Sequence, residues 1–359
     1  MKINHKIFNS NPKSPKPIDE CIEKVLYDQK SGYYTNKDPF GKNGDFITSP
    51  TISNLFSEII AIWLISTWEK MNKPKIFNFV ELGPGDGSLS NVVVNTFKRF
   101  PEINKATNIY LYEKSNFLIK LQKKKINNKK VKWIKNLNSI RNGPVIFFGN
   151  EFFDAIPIKQ FTNRSNTFFE KYFSLENKDN ISEIFIKGSN QDILQIKSFE
   201  TLKKLKFIEY PKKGFLELSK IIKKISELSG GILLIDYGYL SSHNSNTIQA
   251  VMGNKKISME KMFNNIGKAD VTSLVNFNLL KEFFVKNKLK VKNIVSQKFF
   301  LERMGIIERA QILEKKMTKR QKKYMSETLA RLLEEKQMGK LFKVIFGYKY
   351  KNNDFFGFE

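Results

Sequence analysis

IFNFVELGPGDGSLSN, residues 76–91, decides how the chain is read. Ile76 to Val80 is a short apolar run, the pattern of a buried strand. The run stops at Glu81-Leu82 and turns through Gly83-Pro84-Gly85-Asp86-Gly87. Ser88-Leu89-Ser90 opens an apolar, helix-competent run that continues from Val92 to Phe97. Strand, glycine turn and helix are how α/β sheets present a nucleotide-type ligand at the carboxyl ends of their strands. The glycines admit positive φ and let a ligand approach the backbone.

The spacing narrows the ligand. Dinucleotide folds carry G-x-G-x-x-G, with the third glycine late. Here the order is E-x-G-x-G-x-G, with an acid before the first glycine. Pro84 removes a backbone N–H of the kind a pyrophosphate uses at a helix N-terminus. A cofactor without phosphate, carrying an ammonium and a sulfonium, prefers the carboxylate. S-adenosylmethionine (SAM) is such a cofactor. An ordinary strand-to-helix glycine turn has the same outline, so the flanking chain has to decide.

Working toward the N-terminus, Leu55, Phe56, Ile59, Ile60, Trp63 and Leu64 mark an amphipathic helix ending near Lys73-Pro74, with Thr51 or Ser53 as its cap. Residues 31–50 are turn-rich and aromatic, and read as a structured loop containing Asp45. Ile18, Ile22, Val25 and Leu26 have helical spacing.

Toward the C-terminus, NIYLY (108–112) is a second strand ending at Glu113, the place of a ribose-hydroxyl ligand in nucleotide-binding sheets. A strand-end surface acid is the plain alternative. A helix over 117–125 precedes a third strand, VKWI (131–134). VIFFG (145–149) is wholly apolar and so central; it runs into NEFFDAIP, where Asn150, Glu151 and Asp154 stand beside two phenylalanines. Carboxylates among aromatics are costly unless paired, which marks these as site residues; capping of the next helix by Asp154 is the lesser alternative. Residues 158–208 read as short antiparallel strands, an inserted cap. A helix over 214–228 leads to ILLIDYG (232–238), a fifth buried strand ending at Asp236-Tyr237. Residues 243–272 read as loop, with Asp270 or Thr272 capping a helix from Leu274, and KVKNIVSQKFFL and KLFKVIFGYK as late strands around a helical stretch. The segments expected are a flexible arm (1–17), an N-terminal helical and loop segment (18–74), a core (75–157 and 209–349), the cap (158–208) and a tail (350–359).

Composition sets limits on function. The 359 residues carry a formal charge of +27, which invites a nucleic-acid reading. The excess is lysine scattered along the chain, with no aromatic-plus-basic strand, so a solvated basic surface is expected and nucleic acid is not. One cysteine, Cys21, excludes a disulfide framework, and the two histidines lie apart, so no metal site is expected. No apolar run reaches the length of a membrane span. The first 20 residues lack the features of a signal or transit peptide, which points to a cytoplasmic protein. Oligomeric state is not legible.

With these segments in order, the chain resembles the MidA family of SAM-dependent methyltransferases. The resemblance rests on LYDQKSGYYTNKDPFGKNGDFITSP, FVELGPGDGSL, GNEFFDAIPIKQF, LLIDYGY, NTIQAVMG, ADVT and MGKLFKV. It implies an α/β class I SAM-methyltransferase (Rossmann-like) fold, a seven-stranded sheet with an antiparallel last strand, an N-terminal helical segment and an antiparallel insertion. It also implies methyl transfer to an arginine guanidinium of a protein substrate, giving symmetric dimethylarginine. A mitochondrial relative in the family points to the quinone-proximal hydrophilic subunit of respiratory complex I as the partner. Family members often carry arginine where this chain has Asp86, which alters the charge beside the turn.

The chemistry assigns roles. Gly83, Gly85 and Gly87 admit SAM, Glu81 faces its ammonium, Glu113 its ribose, and Asn150 joins the cofactor set. Carboxylates orient a guanidinium bidentately, and Glu151 and Asp154 stand first for that work, with Asp45 and Asp236 behind them. Two other functions share this fold: a SAM-binding assembly factor without catalysis, and a nicotinamide oxidoreductase, which the glycine spacing opposes.

Overall fold

The structure is a computed structural model that describes residues 14–36, 49–177, 180–241, 243–253 and 255–359. The chain divides into two compact units. One consists of Ile47–Phe152, Ser219–Tyr239 and Phe284–Glu359; the other of Met1–Phe46, Phe153–Leu218 and Leu240–Phe283.

The first unit is built on a mixed sheet. Its strands are β1 (Phe77–Leu82), β2 (Thr107–Tyr112), β3 (Val131–Ile134), β4 (Val145–Asn150), β5 (Gly230–Tyr239), β6 (Lys290–Val291) and β7 (Phe342–Lys349). The hydrogen-bonded order is β3-β2-β1-β4-β5-β7-β6. From β3 to β5 the strands are parallel, and β7 runs antiparallel to β5 from Gly230↔Lys349 to Tyr237↔Phe342. Every residue of β1 is buried, as are the first five of β4, because helices cover both faces of a parallel sheet. Seven strands lie on this path. Two two-residue strands, one of them Val295–Ser296 beside β7, widen the sheet to nine.

The chain order places a switch point at β1 and β4. From β1 the chain steps outward to β2 and β3, then returns to the other side of β1 as β4. The crevice above that reversal is where open α/β sheets take their ligands. GPGDG follows β1 and EFF follows β4, so both stretches open at it.

The Asn54–Lys70 helix closes one face. Ser53, not Thr51, caps it, its hydroxyl accepting from the Leu55 N–H at 3.1 Å. Besides its expected apolar face it buries Ala61, Ile65 and Trp68, so it is a core helix rather than an amphipathic one, and it ends at Lys70. Trp63 meets Phe346 of β7 edge-on, ring centroids 5.2 Å apart. Residues 101–106 form a short helix started by Pro101. Gln297–Arg303 is helical, where an apolar strand was expected, because Ser296 accepts from the Phe299 N–H and starts a helix inside the apolar run.

The second unit packs the Ile18–Tyr27 helix against antiparallel strands. Ile18, Cys21, Ile22, Val25 and Leu26 share a core with Phe173, Phe263 and Val271. Residues 158–208 supply the strands Lys159–Arg164, Thr167–Asn177 and Asn180–Lys187, antiparallel as read from the sequence, and a further strand, Phe207–Tyr210, runs past that bound and pairs with the first. They also supply two helices, Asn190–Ser198 and Glu200–Lys203, that the strand pattern concealed. The stretch expected as loop makes a three-stranded sheet, Gln249–Met252 between Lys255–Ile257 and Asp270–Thr272. Asp270 and Thr272 are therefore strand residues, and Asn276 accepts from the Leu279 N–H at the start of the next helix.

Candidate functional site

The glycine turn has the backbone its composition requires. Gly83, Gly85 and Gly87 have φ of 59°, 55° and 79°, all in the left-handed region that side chains disfavour. A Cβ at Gly83 would lie 3.1 Å from the Phe152 ring, and one at Gly87 3.0 Å from Ile126. The Gly83 N–H donates to the Tyr112 carbonyl at the end of β2 (3.1 Å), which ties the turn to the neighbouring strand.

Asp86 closes the turn onto its helix. Its carboxylate accepts from the Ser88 N–H at 2.9 Å and the Ser88 hydroxyl at 2.8 Å. It also pairs with Lys125 at the end of the Asn116–Lys125 helix. Gly87, at the N-cap, has no side chain to do this, so Asp86 provides the cap from one residue earlier.

Two buried acids stand at the strand ends beside the turn. Glu81 accepts from the Ser90 hydroxyl. Burial pushes its carboxyl up to about 8; Ser90 opposes the shift, and the charges of Asp86 and Glu113 add to it. A carboxyl held in that state gains most from an incoming cation. Glu113 accepts from the Ser115 N–H at 2.7 Å and from Gln122 Nε2 at 3.2 Å. Burial raises its pKa too, against those hydrogen bonds. The sequence reading missed Gln122; its spacing, four residues after Leu118 on the buried stripe of the helix, signals its burial but not its partners.

At the end of β4, Glu151 adopts φ 49°, a strained value for a side chain with a Cβ. Its N–H donates to the Ile235 carbonyl of β5 (2.9 Å), and Asn150 Nδ2 donates to its carboxylate (3.1 Å). Asn150 pairs in register with Ile235, so Glu151 and Asp236 follow on adjacent parallel strands. Asp236 is buried and accepts from the Tyr237 N–H at 2.9 Å. The Asn150 Oδ1 is a buried acceptor with no hydrogen-bond partner among the described residues, a place where a ligand donor fits.

Asp154 belongs to the second unit and groups with other residues. There Tyr34 donates to Asp270 at 3.0 Å, and its phenol is held well above its ordinary pKa by burial and by the Asp270, Tyr27 and Asp154 side chains. Asp45 lies outside the described residues. The first unit thus brings together Glu81, the three glycines, Glu113, Asn150, Glu151 and Asp236 at the carboxyl ends of β1, β2, β4 and β5.

Sheet order, glycine turn and strand-end acids define the class: an α/β methyltransferase that uses SAM. The model of a family of S-adenosyl-L-methionine-dependent methyltransferases matches residues 59–295, and the chain belongs to that family. Protein arginine methyltransferase NDUFAF7, mitochondrial, of Xenopus laevis is 27% identical over 303 residues, 78% of this chain and 68% of the relative. The NDUFAF7 homolog of Caenorhabditis elegans is 28% identical over 294 residues, 76% of this chain and 67% of the relative. Among solved structures, a Burkholderia thailandensis protein bound to S-adenosyl-homocysteine (SAH) superposes with a TM-score of 0.79, covering 95% of this chain and 89% of that one. At 20% identity it shows the shared fold.

Proposed function

We propose that the chain methylates an arginine guanidinium of a protein, giving symmetric dimethylarginine, and that the protein is the quinone-proximal hydrophilic subunit of respiratory complex I. The observation that carries this reading is the alignment with protein arginine methyltransferases over about three quarters of the chain. The strained Glu151 beside Asp236 supports it, because a pair of strand-end carboxylates suits a guanidinium.

SAM supplies an electrophilic methyl group, and its sulfur leaves with the electron pair of the broken C–S bond. In this reading Glu81 takes the cofactor ammonium, Glu113 the ribose hydroxyls, and the Asn150 Oδ1 accepts from a cofactor donor. Gly83, Gly85 and Gly87 let the cofactor lie against the backbone. Glu151 and Asp236 orient the guanidinium and hold its positive charge away from the reacting nitrogen, whose lone pair then faces the methyl carbon. A Glu151 carboxylate oxygen takes the proton that the nitrogen sheds.

Co-expression with the candidate subunit, followed by mass spectrometry of its arginines, tests the reaction. The expected result is an increment of about 28 Da on one arginine, two methyl groups, present with the wild type and absent with Glu151→Gln, which still binds SAH. Unmodified arginines on a subunit that nevertheless co-purifies with the chain would mark it as an assembly factor without catalysis. Equal methylation by wild type and Glu151→Gln would remove Glu151 from the mechanism.

A further inference from the structure

We propose that Gln122 is a positioning residue for the cofactor: its buried amide aims the Glu113 carboxylate at the ribose hydroxyls and couples that carboxylate to the glycine turn. Gln122 is fully buried, on the inner stripe of the Asn116–Lys125 helix. Its Nε2 donates to the Gly85 carbonyl at 2.8 Å and to Glu113 Oε2 at 3.2 Å. Its Oε1 accepts from the Trp133 indole N–H at 2.9 Å.

That third bond settles the orientation. An indole N–H only donates, so the amide oxygen must face Trp133 and the NH₂ must face the turn and the acid. Both N–H bonds are then spent, one on each partner. The Glu113 carboxylate is held from two sides, with Ser115 N–H on Oε1 and Gln122 on Oε2, and an ionised carboxylate keeps lone pairs for a diol. The helix also presses on the turn: a Cβ at Gly87 would meet Gln122 Cγ at 3.3 Å. One side chain therefore links β3, the acid after β2 and the turn after β1.

This inference rests on the assignment of Glu113 to the ribose, and the test keeps the two apart. Calorimetric titration compares SAH with its analogue lacking the ribose 2′ and 3′ hydroxyls. Wild type should prefer SAH by roughly tenfold or more, as expected for hydrogen bonds to a charged group. Glu113→Ala should abolish that preference; if it does not, the ribose assignment falls and takes this inference with it. Gln122→Met should weaken SAH by roughly tenfold and the analogue by no more than about twofold, the pattern of a lost ribose contact. Trp133→Phe, which frees the amide to turn without touching Glu113 or Gly85, should show a smaller loss of the same selectivity. It carries the test if Gln122→Met does not fold. Equal weakening of both ligands, or no weakening of either, would mean that Gln122 only fills the core and would overturn the proposal.

Discussion

Glu81 shows how a single residue trades stability for binding. Its carboxyl ordinarily titrates at 4.5 and in the fold at about 8, chiefly because it is buried. A raised folded pKa contributes stability that is full below the unfolded value and is lost as pH rises through the folded one. The wild type should therefore lose stability between pH 4.5 and 8 from this group, by up to about 1.4 kcal/mol for each pH unit. Glu81→Gln removes that slope. It should melt higher than wild type at pH 8.5, with a difference that shrinks toward pH 5, and bind SAH at least tenfold more weakly. Wild-type affinity in this variant would take Glu81 out of the ammonium site. At Gly85 the constraint is conformational: φ is 55°, and a β-branched side chain cannot adopt it cheaply. Gly85→Val should leave the far-ultraviolet spectrum intact and abolish SAH binding. A titration matching wild type would refute the placement of the cofactor at this turn. At the residue scale the sequence declared the glycines and acids, because left-handed φ and buried charge restrict residue type. It could not declare Gln122, whose role depends on Gly85, Glu113 and Trp133 meeting in space.

At the scale of elements, strand, turn and helix behave as one piece because Asp86 bonds the turn to the first residue of the helix. Losing that cap should cost about 1 kcal/mol, most of it from the Ser88 bonds, since the half-exposed Lys125 pair contributes little. Asp86→Ala should therefore lower the melting temperature by roughly 1–2 °C. Asp86→Arg should lower it further by facing Lys125 with a like charge. Adding Lys125→Glu should recover part of the loss, and no recovery would argue against the pairing. Elements with a strong period were legible: β1, β4, β5 and the Ile18–Tyr27 helix lie where their apolar residues put them. Those that deceived the reading were short. Gln297–Arg303 is apolar enough for a strand and is helical through its cap, whereas Asp270–Thr272 looks like a helix start and pairs with Gln249–Val251. In both, a local signal was outvoted by a partner distant in sequence or by one capping hydroxyl.

At the scale of the molecule, the chain builds two cores from interleaved segments. The second holds an unusual concentration of buried charge. Lys159, about a tenth exposed, bonds Glu170 and lies 3.8 Å from Asp19 and 3.7 Å from Asp192, all three acids being nearly inaccessible. Burial works against the Lys159 charge, yet the three acids more than offset it and raise its pKa. Lys159→Met leaves these carboxylates short of a cation, although Lys212 still pairs with Asp192 at 2.7 Å. The loss should be about 3 kcal/mol in denaturant unfolding at pH 7 and smaller at pH 5, where Glu170, its carboxyl pushed up by burial, takes up a proton more readily. A loss that does not change with pH would show that packing, not charge, is what the lysine provides.

By itself the sequence determined the parallel core, the turn after β1 and the acids at the strand ends, because each follows from a local rule of periodicity, φ or desolvation. It also carried the family in its motifs. Tertiary structure alone decided which acids share a unit: Glu151 joins Asp236 through the β4–β5 register, while Asp154, three residues further on, groups with Tyr34 and Asp270. It alone explained Asp86, whose partner Lys125 lies on another helix. Chain neighbours are fixed by covalent order, but the neighbours of a side chain are fixed by packing, and the chemistry of a carboxylate depends on the second set.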